Sequence, residues 1–356
     1  MPPPTDSLIV RQVERILVTG ATGFIGRRVV IALLDLGFRN LRCLVRPSIT
    51  TDGLDEMLRA HKHGAQVEIM TGNLLSADDC AAAVAGVTVV FHLAAGKGEK
   101  SFPDSFANSV VTTRNLLDAC VAQGGLRRFA NMSSFAVYKN SGNPKRRLLD
   151  ESAPVEEHPE LRGSAYCFAK AEQDKLVMDY GRRHRIPYVI IRPGWVYGPG
   201  GSGIHSRVGI DTFGIFLHLG GGNTIPLTYV DNCAEAVVLA GLTKNIDGEV
   251  FNVVDDDLPS SRRFLRLYKR NVRSFKSIYL PHVLTYYLCF LWEWYSRWSE
   301  GQLPPVYNRK AWHASWKKTR YSNLKLKSRV GWRPSVSTSE GLRRHFESCR
   351  EGGAHA

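Results

Sequence analysis

Two tyrosines in this sequence stand four positions ahead of a lysine: Tyr166 and Lys170 in SAYCFAK, and Tyr321 and Lys325 in YSNLK. On a helix that spacing puts phenol and ammonium one turn apart on the same face. The positive charge eases proton loss from the phenol, so the pair could exchange a proton with a substrate oxygen near neutral pH. Tyr166 follows the strand-like run RRFANMSS, whose last residues, Ser133 and Ser134, could hold that oxygen. Tyr321 instead lies in KKTRYSNLKLKSR, the most basic part of the chain. There a lysine four residues on is one of many, and the pattern reads as a solvated face. Position favours Tyr166.

A second pattern suits phosphate. Gly20, Gly23 and Gly26 in TGATGFIG follow the apolar run RILVTG and open the helical pattern GRRVVIALLDLG. Glycine permits the tight turn, its missing side chain lets backbone amides approach a pyrophosphate, and the helix N-terminus favours the anion. No Gly-Lys-Ser/Thr follows, which argues against a nucleoside-triphosphatase loop.

These residues need elements to hold them. Six apolar runs read as strands: RILVTG, NLRCLVR, AQVEIMTGNL, VTVVFHLAA, RRFANMSS and PYVIIRPG. Helical patterns such as SADDCAAAVAG and NSVVTTRNLLDACVAQGG separate them. The expectation is an α/β fold, a Rossmann-type doubly wound parallel sheet with ligands at the carboxyl ends of its strands. A smaller C-terminal region would bind substrate. We place a flexible tail at 1–12, the dinucleotide-binding domain at 13–193, and the substrate-binding region at 194–350, with returns to the main sheet.

Composition sets the outer bounds. The chain has 356 residues, 44% hydrophobic and 22% charged, in the soluble globular range. Seven scattered cysteines form no C-x-x-C pair, so neither a disulfide framework nor a metal site is expected, and a reducing, cytoplasmic setting is. The start, MPPPTDSLIVRQVER, lacks the long apolar run of a signal peptide. Of the net charge of +14, the stretch Leu258–Pro334 alone carries 17 Lys or Arg against Glu293 and Glu300. Six of the seven tryptophans lie there too. No recognition motif accompanies this charge, so nucleic acid is not an expected partner.

The whole pattern resembles an extended short-chain dehydrogenase/reductase, the NAD-dependent epimerase/dehydratase family. The resemblance runs from Arg15 to Val254 through TGATGFIG, VFHLAA, NSVVTTRNLLDAC, SSFAVY, YCFAK, RPGWVYGPG, YVDNCAEA and EVFNV, with an echo in LKSRVGWRPSVSTSEGLRRHF. It implies Tyr166 as the proton-transfer group, with Lys170 tuning it and bonding the cofactor ribose. It selects Ser134, four residues before Tyr138, to orient the substrate oxygen. Family dehydratases carry an Asp-Glu pair just after that serine; Phe135 and Ala136 stand here, which disfavours sugar 4,6-dehydration.

For the cofactor, the resemblance implies contacts from Gly20, Thr22, Gly23, Phe24, Ile25 and Gly26 in the turn. Further contacts fall to Asn73 and Leu74 of Gly-Asn-Leu (usually Gly-Asp-Leu), to Ala94 and Ala95, and to Pro193, Tyr166 and Lys170. NAD-preferring members end the second strand with an acid; here Arg46 stands there, able to pair with a 2′-phosphate, so NADP is favoured over NAD. Asn108 and His92 read as structural, and Asp255–Asp257 as an acidic turn.

Nucleotide-sugar members carry a polar contact before the YVD helix; GGGNTIPLTYVDN offers Ile225 and Pro226, as in the hydroxysteroid-dehydrogenase-like and dihydroflavonol-reductase-like branch. The expected activity is thus NAD(P)-dependent hydride transfer at a carbinol or ketone carbon of an apolar, sterol-like small molecule. The alternatives are a nucleotide-sugar epimerase and, outside enzymes, a dinucleotide-sensing binding protein. SIYLPHVLTYYLCFLW is too short to span a bilayer. Residues 277–298 read either as a lid or as a peripheral membrane contact. A homodimer is a further candidate assembly.

Overall fold

The structure is a computed structural model that describes residues 8–96, 101–139, 148–212, 214–299, 302 and 308–353. Strands β1 (Arg15–Thr19), β2 (Leu41–Val45), β3 (Glu68–Thr71), β4 (Val87–His92), β5 (Arg128–Met132), β6 (Tyr188–Pro193) and β7 (Glu249–Val253) form one sheet. Their order is β3-β2-β1-β4-β5-β6-β7, and every neighbouring pair is parallel. Chain direction across the sheet reverses between β1 and β4, where a crevice opens beyond the strand ends.

The main helices are α1 (Gly26–Asp35), α2 (Asp52–Ala60), α3 (Ala77–Val84), α4 (Phe102–Phe106), α5 (Thr112–Gln123), α6 (Ala165–His184) and α7 (Val230–Leu242). Alternation along the strands explains how helices cover both faces. Ile16, Val18, Phe91 and Ile191 point to α1 and α7, which answer with Val30, Leu33, Val237 and Leu242. Leu17, Val90, Phe129 and Ile190 point the other way, to Leu116, Leu117 and Val177.

The segment 1–12 was expected to be loose; its residues 1–7 lie outside the described residues. Leu8 and Val10 are buried instead, and the Ile9 amide donates to the Leu242 carbonyl at 2.8 Å. Two apolar side chains are enough to draw the chain onto the end of α7 from Leu8 onward.

The rest of the chain builds a second layer from α8 (Ser261–Asn271), α9 (His282–Trp298), α10 (Arg309–Trp316), α11 (Leu324–Val330) and α12 (Thr338–Gly353). A small sheet orders Ser277–Tyr279, Ile215–His218 and Gly209–Thr212. Its core is aromatic, with Trp195, Phe216, Phe264, Tyr268 and Phe346 in one cluster. Leu326 and Trp332 rejoin the main core, so the chain crosses between layers more than once. Among the described residues no helix is long and apolar enough to cross a membrane, and none of the His, Cys, Asp and Glu groups could hold a metal ion.

The second Tyr-Lys pair does not share a helix. Tyr321 lies in the short strand Arg320–Tyr321, paired with Leu148–Leu149, whereas Lys325 belongs to α11. Asn323 ends the strand by bonding the Val254 carbonyl and Asp256, each at 2.8 Å. Lys325 is engaged by Glu249 at 2.6 Å. The expected solvated face is wrong for Tyr321, whose half-buried ring stacks on Phe135 at 5.7 Å.

Candidate active site

The glycine turn is built as its sequence requires. Gly20 has φ +69°, and a Cβ there would stand 2.8 Å from the Ala94 nitrogen. A Cβ on Gly26 would stand 2.0 Å from the Gly20 carbonyl oxygen. No side chain caps the N-terminus of α1 and no acid lies in its first turn, which leaves that end to an anion. Beside it a cleft of about 230 Å³ is lined by Gly20, Thr22, Gly23, Arg46, Asn73, Leu74, Ala94 and Ala95. Eight of the residues expected to hold a dinucleotide therefore share one crevice at the carboxyl end of the sheet. A larger cavity of about 890 Å³ lies between α1, α7 and Trp332, away from these groups.

Arg46, just past the end of β2, is exposed and forms no ion pair among the described residues. Asn73 spends its carbonyl on the Leu75 amide at 3.0 Å, and its backbone amide donates to Asp79 at 2.7 Å. Phe24 turns away under Arg28, 4.9 Å from ring centre to guanidinium carbon, and Ile25 packs toward the core. Pro193 is buried at the end of β6, paired with Val253. Asn108 lines the cleft from a π-helical turn, Ala107–Val111, that bulges the helix between α4 and α5. Its amide also bonds the Asp104 carbonyl at 2.8 Å.

The reactive side chains stand beyond β5. Ser164 caps α6 by accepting from the Cys167 amide at 3.3 Å, which sets the first turn and brings Tyr166 and Lys170 to the strand end. The two serines there divide their work. Ser133 donates to Asp174 at 2.9 Å, and Asp174 is held by Arg192 at 2.9 Å, all buried. Ser134 accepts from the Ala136 amide at 3.1 Å, leaving its own proton to give, and its hydroxyl interacts with the Tyr166 phenol. Desolvation holds that phenol above the usual tyrosine range, and the Ser134 contact pulls it back.

Lys170 itself is buried, and desolvation lowers its pKa to about 8 against the pull of Asp174. Its ammonium donates to the Met132 carbonyl at 2.7 Å and to Gln173 Oε1 at 2.8 Å. An ammonium has three donors, so one remains for a ribose hydroxyl or the phenolate.

Gln173 is a residue the sequence reading passed over, and it opens a buried network. Its amide donates to Thr113 Oγ1 at 2.8 Å, and that hydroxyl gives its single proton to the Ser109 carbonyl at 2.5 Å. Thr113 can therefore only accept from His92 Nε2, 2.9 Å away. His92 must carry its proton on Nε2, and Nδ1 accepts from Thr19 Oγ1 at 2.9 Å. Thr19 in turn accepts from the Ala94 amide at 3.3 Å. Burial and the Lys170 charge push His92 down to about 3, so it stays neutral. As expected, His92 is a packed strand residue; its added role is to tie Lys170 to the floor of the cleft. Only the i, i+3 spacing of Lys170 and Gln173 could have signalled this.

On the substrate side, Arg162 is buried and donates to the Ala136 and Tyr138 carbonyls, fixing the loop after Ser134. Ile225 is buried in the aromatic core, and its neighbour Pro226 accepts from the Trp195 amide, so neither presents a polar side chain. Asp255 is not a free acidic turn. It bonds Asn232 and the Tyr229 amide, each at 2.9 Å, and burial raises it to about 6.

A family model described as the NAD dependent epimerase/dehydratase family matches residues 16–253. The chain is 30% identical over 254 residues to a trifunctional UDP-glucose 4,6-dehydratase/UDP-4-keto-6-deoxy-D-glucose 3,5-epimerase/UDP-4-keto-L-rhamnose-reductase of Arabidopsis thaliana, covering 67% of this chain and 36% of that protein. It is 32% identical over 203 residues to a 3 beta-hydroxysteroid dehydrogenase/Delta 5-->4-isomerase of Mycobacterium tuberculosis, 55% of this chain and 50% of that one. A 3beta-hydroxysteroid-dehydrogenase/decarboxylase of Arabidopsis thaliana is 26% identical across 95% of this chain and 80% of its own. The chain thus spans half or less of the first two relatives. Among solved structures, UDP-glucuronic acid 4-epimerase from Bacillus cereus in complex with NAD superposes with a TM-score of 0.71 at 23% identity, covering 95% and 99% of the two chains. That likeness is one of fold. The match over most of the sheet, from β1 to β7, makes the chain a member of the NAD dependent epimerase/dehydratase family.

Proposed function

We propose that the protein is an NAD(P)-dependent oxidoreductase acting at the carbinol or ketone carbon of an apolar substrate. The observation that carries this reading is the grouping of Ser134, Tyr166 and Lys170 at the end of β5, one strand from the glycine-lined cleft. The cleft suits the pyrophosphate of a dinucleotide: Gly20 and Gly26 occupy positions where a Cβ would collide, and α1 opens uncapped. When bound, the nicotinamide supplies or accepts the hydride. Tyr166 gives its proton to the oxygen of a ketone, or takes one from an alcohol in the reverse direction. Ser134 donates to that oxygen and orients it. Lys170 would hold the ribose with its remaining N–H, and its charge would stabilise the phenolate.

Three features support the finer reading. An unpaired arginine at the end of β2 supports NADP over NAD. The buried Ile225 supports an apolar substrate over a nucleotide sugar. Phe135, packed between Tyr138 and Tyr321, stands where a dehydratase would need a carboxylate. The likeness to a nucleotide-sugar enzyme sustains an epimerase as the second reading, in which oxidation and re-reduction occur on one tightly held NAD. Product analysis separates the two: net oxidation or reduction belongs to the first, inversion without cofactor turnover to the second. For the cofactor, Arg46→Ser is expected to weaken NADPH binding by roughly 10- to 100-fold, the loss of one charge-assisted contact, and to leave NADH unchanged. Equal loss for both coenzymes in a fluorescence titration would remove the case for NADP.

A further inference from the structure

Helix α9 is inside out. Thr285, Cys289 and Ser296, small side chains, are buried toward the body of the protein. Val283, Tyr287, Leu291, Trp294 and Trp298 repeat at three- and four-residue spacing on the opposite face, each between 56% and 69% exposed. With Leu288, half exposed, they belong to an apolar surface on the order of 1,000 Å², against the few hundred Å² usual for a monomer's largest patch. A helix of 17 residues is about 25 Å long, too short to span a bilayer. It also carries Glu293, bound to Arg309 of α10 at 2.8 Å, which fixes it along the surface of the molecule.

We propose that this face docks on a bilayer surface rich in anionic lipid, with α9 lying in the plane of the interface. Charge selects this occupant over a second copy of the chain. The region Leu258–Pro334 holds 17 basic residues against two acids. Arg273 and Lys276 just ahead of α9, Arg297 within it and Lys318 beyond α10 are all exposed. Two copies meeting at α9 would bring these charges together, whereas anionic headgroups complement them. Tryptophan and tyrosine on the apolar face suit the headgroup level, where one edge of the ring is wet.

The docked layer also packs against the segments beside the candidate site. Asn308, which caps α10, donates to the Arg162 carbonyl at 3.2 Å. Arg207 bridges the Ala314 carbonyl at 3.2 Å and the Tyr321 hydroxyl at 3.5 Å, and Tyr321 stacks on the residue after Ser134. A substrate dissolved in lipid would reach Tyr166 past this layer. That last step rests on the apolar-substrate reading; the docking does not.

Vesicle flotation of the full chain tests the proposal, with phosphatidylcholine vesicles containing or lacking phosphatidylserine. Wild-type protein should float with the phosphatidylserine vesicles and bind the neutral ones at least about tenfold more weakly. Leu288→Glu/Trp294→Glu should cut flotation by at least about tenfold while NADPH binding, which reports the fold, stays as in wild type. Absence of flotation, equal binding to neutral vesicles, or flotation indifferent to the two glutamates would each overturn it. So would a wild-type dimer, seen by light scattering, that ignores vesicles and that the glutamates dissociate. Loss of the oxidoreductase reading would leave flotation intact, so the two fail separately.

Discussion

Tyr166 and Lys170 are placed by a helix cap, but their chemistry is set by neighbours of different kinds. Tyr166→Phe keeps the ring and removes the proton. It is expected to lower hydride transfer by about 10²- to 10⁴-fold with coenzyme affinity unchanged, measured by NADPH consumption and by titration. The Lys170 ammonium is lost as pH rises through about 8, because burial has lowered its pKa from 10.5. Ketone reduction, which uses the charged lysine and the protonated phenol, should therefore decline on the alkaline side of about 8. Gln173 is a positioning residue in this scheme. Gln173→Leu removes an acceptor from a buried ammonium and should move the alkaline limb of the kcat profile down by about one pH unit. A purely structural role would lower stability and leave that limb in place. The glycines were legible from their spacing between a strand and a helix, and Tyr166 and Lys170 from theirs together with their place after the run that ends in Ser133 and Ser134. Gln173 and Thr113 were not, since a glutamine and a threonine in helices have meaning only through the partners that folding brings them.

Among elements, the turn into α1 has the least tolerance. Gly26→Ala would drive a methyl into the Gly20 carbonyl, so the turn must open, and NADPH affinity should fall by at least about tenfold on titration. The strands and their parallel arrangement could be read because buried parallel strands are continuous apolar runs broken by amphipathic helices. The second Tyr-Lys pair shows the opposite case. Helical spacing was present in YSNLK, yet the side chain of Asn323 and pairing with Leu148–Leu149 made the first part a strand. A short segment takes its conformation from the neighbours it meets, which local sequence does not record. The anchoring of Leu8 and Val10 on α7 has the same origin.

At the scale of the whole molecule, two layers with different surfaces meet over the candidate site. The sheet layer is near neutral and holds the glycine-lined cleft. The C-terminal layer carries the positive charge and the exposed apolar face. The charge was visible as a composition shift, but the inversion of α9, with its small residues inside, needed the packing to be seen. In the proposed reaction, hydride moves between nicotinamide and a substrate carbon while Tyr166 moves the proton. Reduction of a panel of sterol-like ketones with NADPH deuterated at the transferring position of C4 tests it most directly, with products read by mass spectrometry. One deuterium is expected at the new carbinol carbon with wild-type protein and almost none with Tyr166→Phe. Equal deuterium incorporation by the two proteins would contradict it.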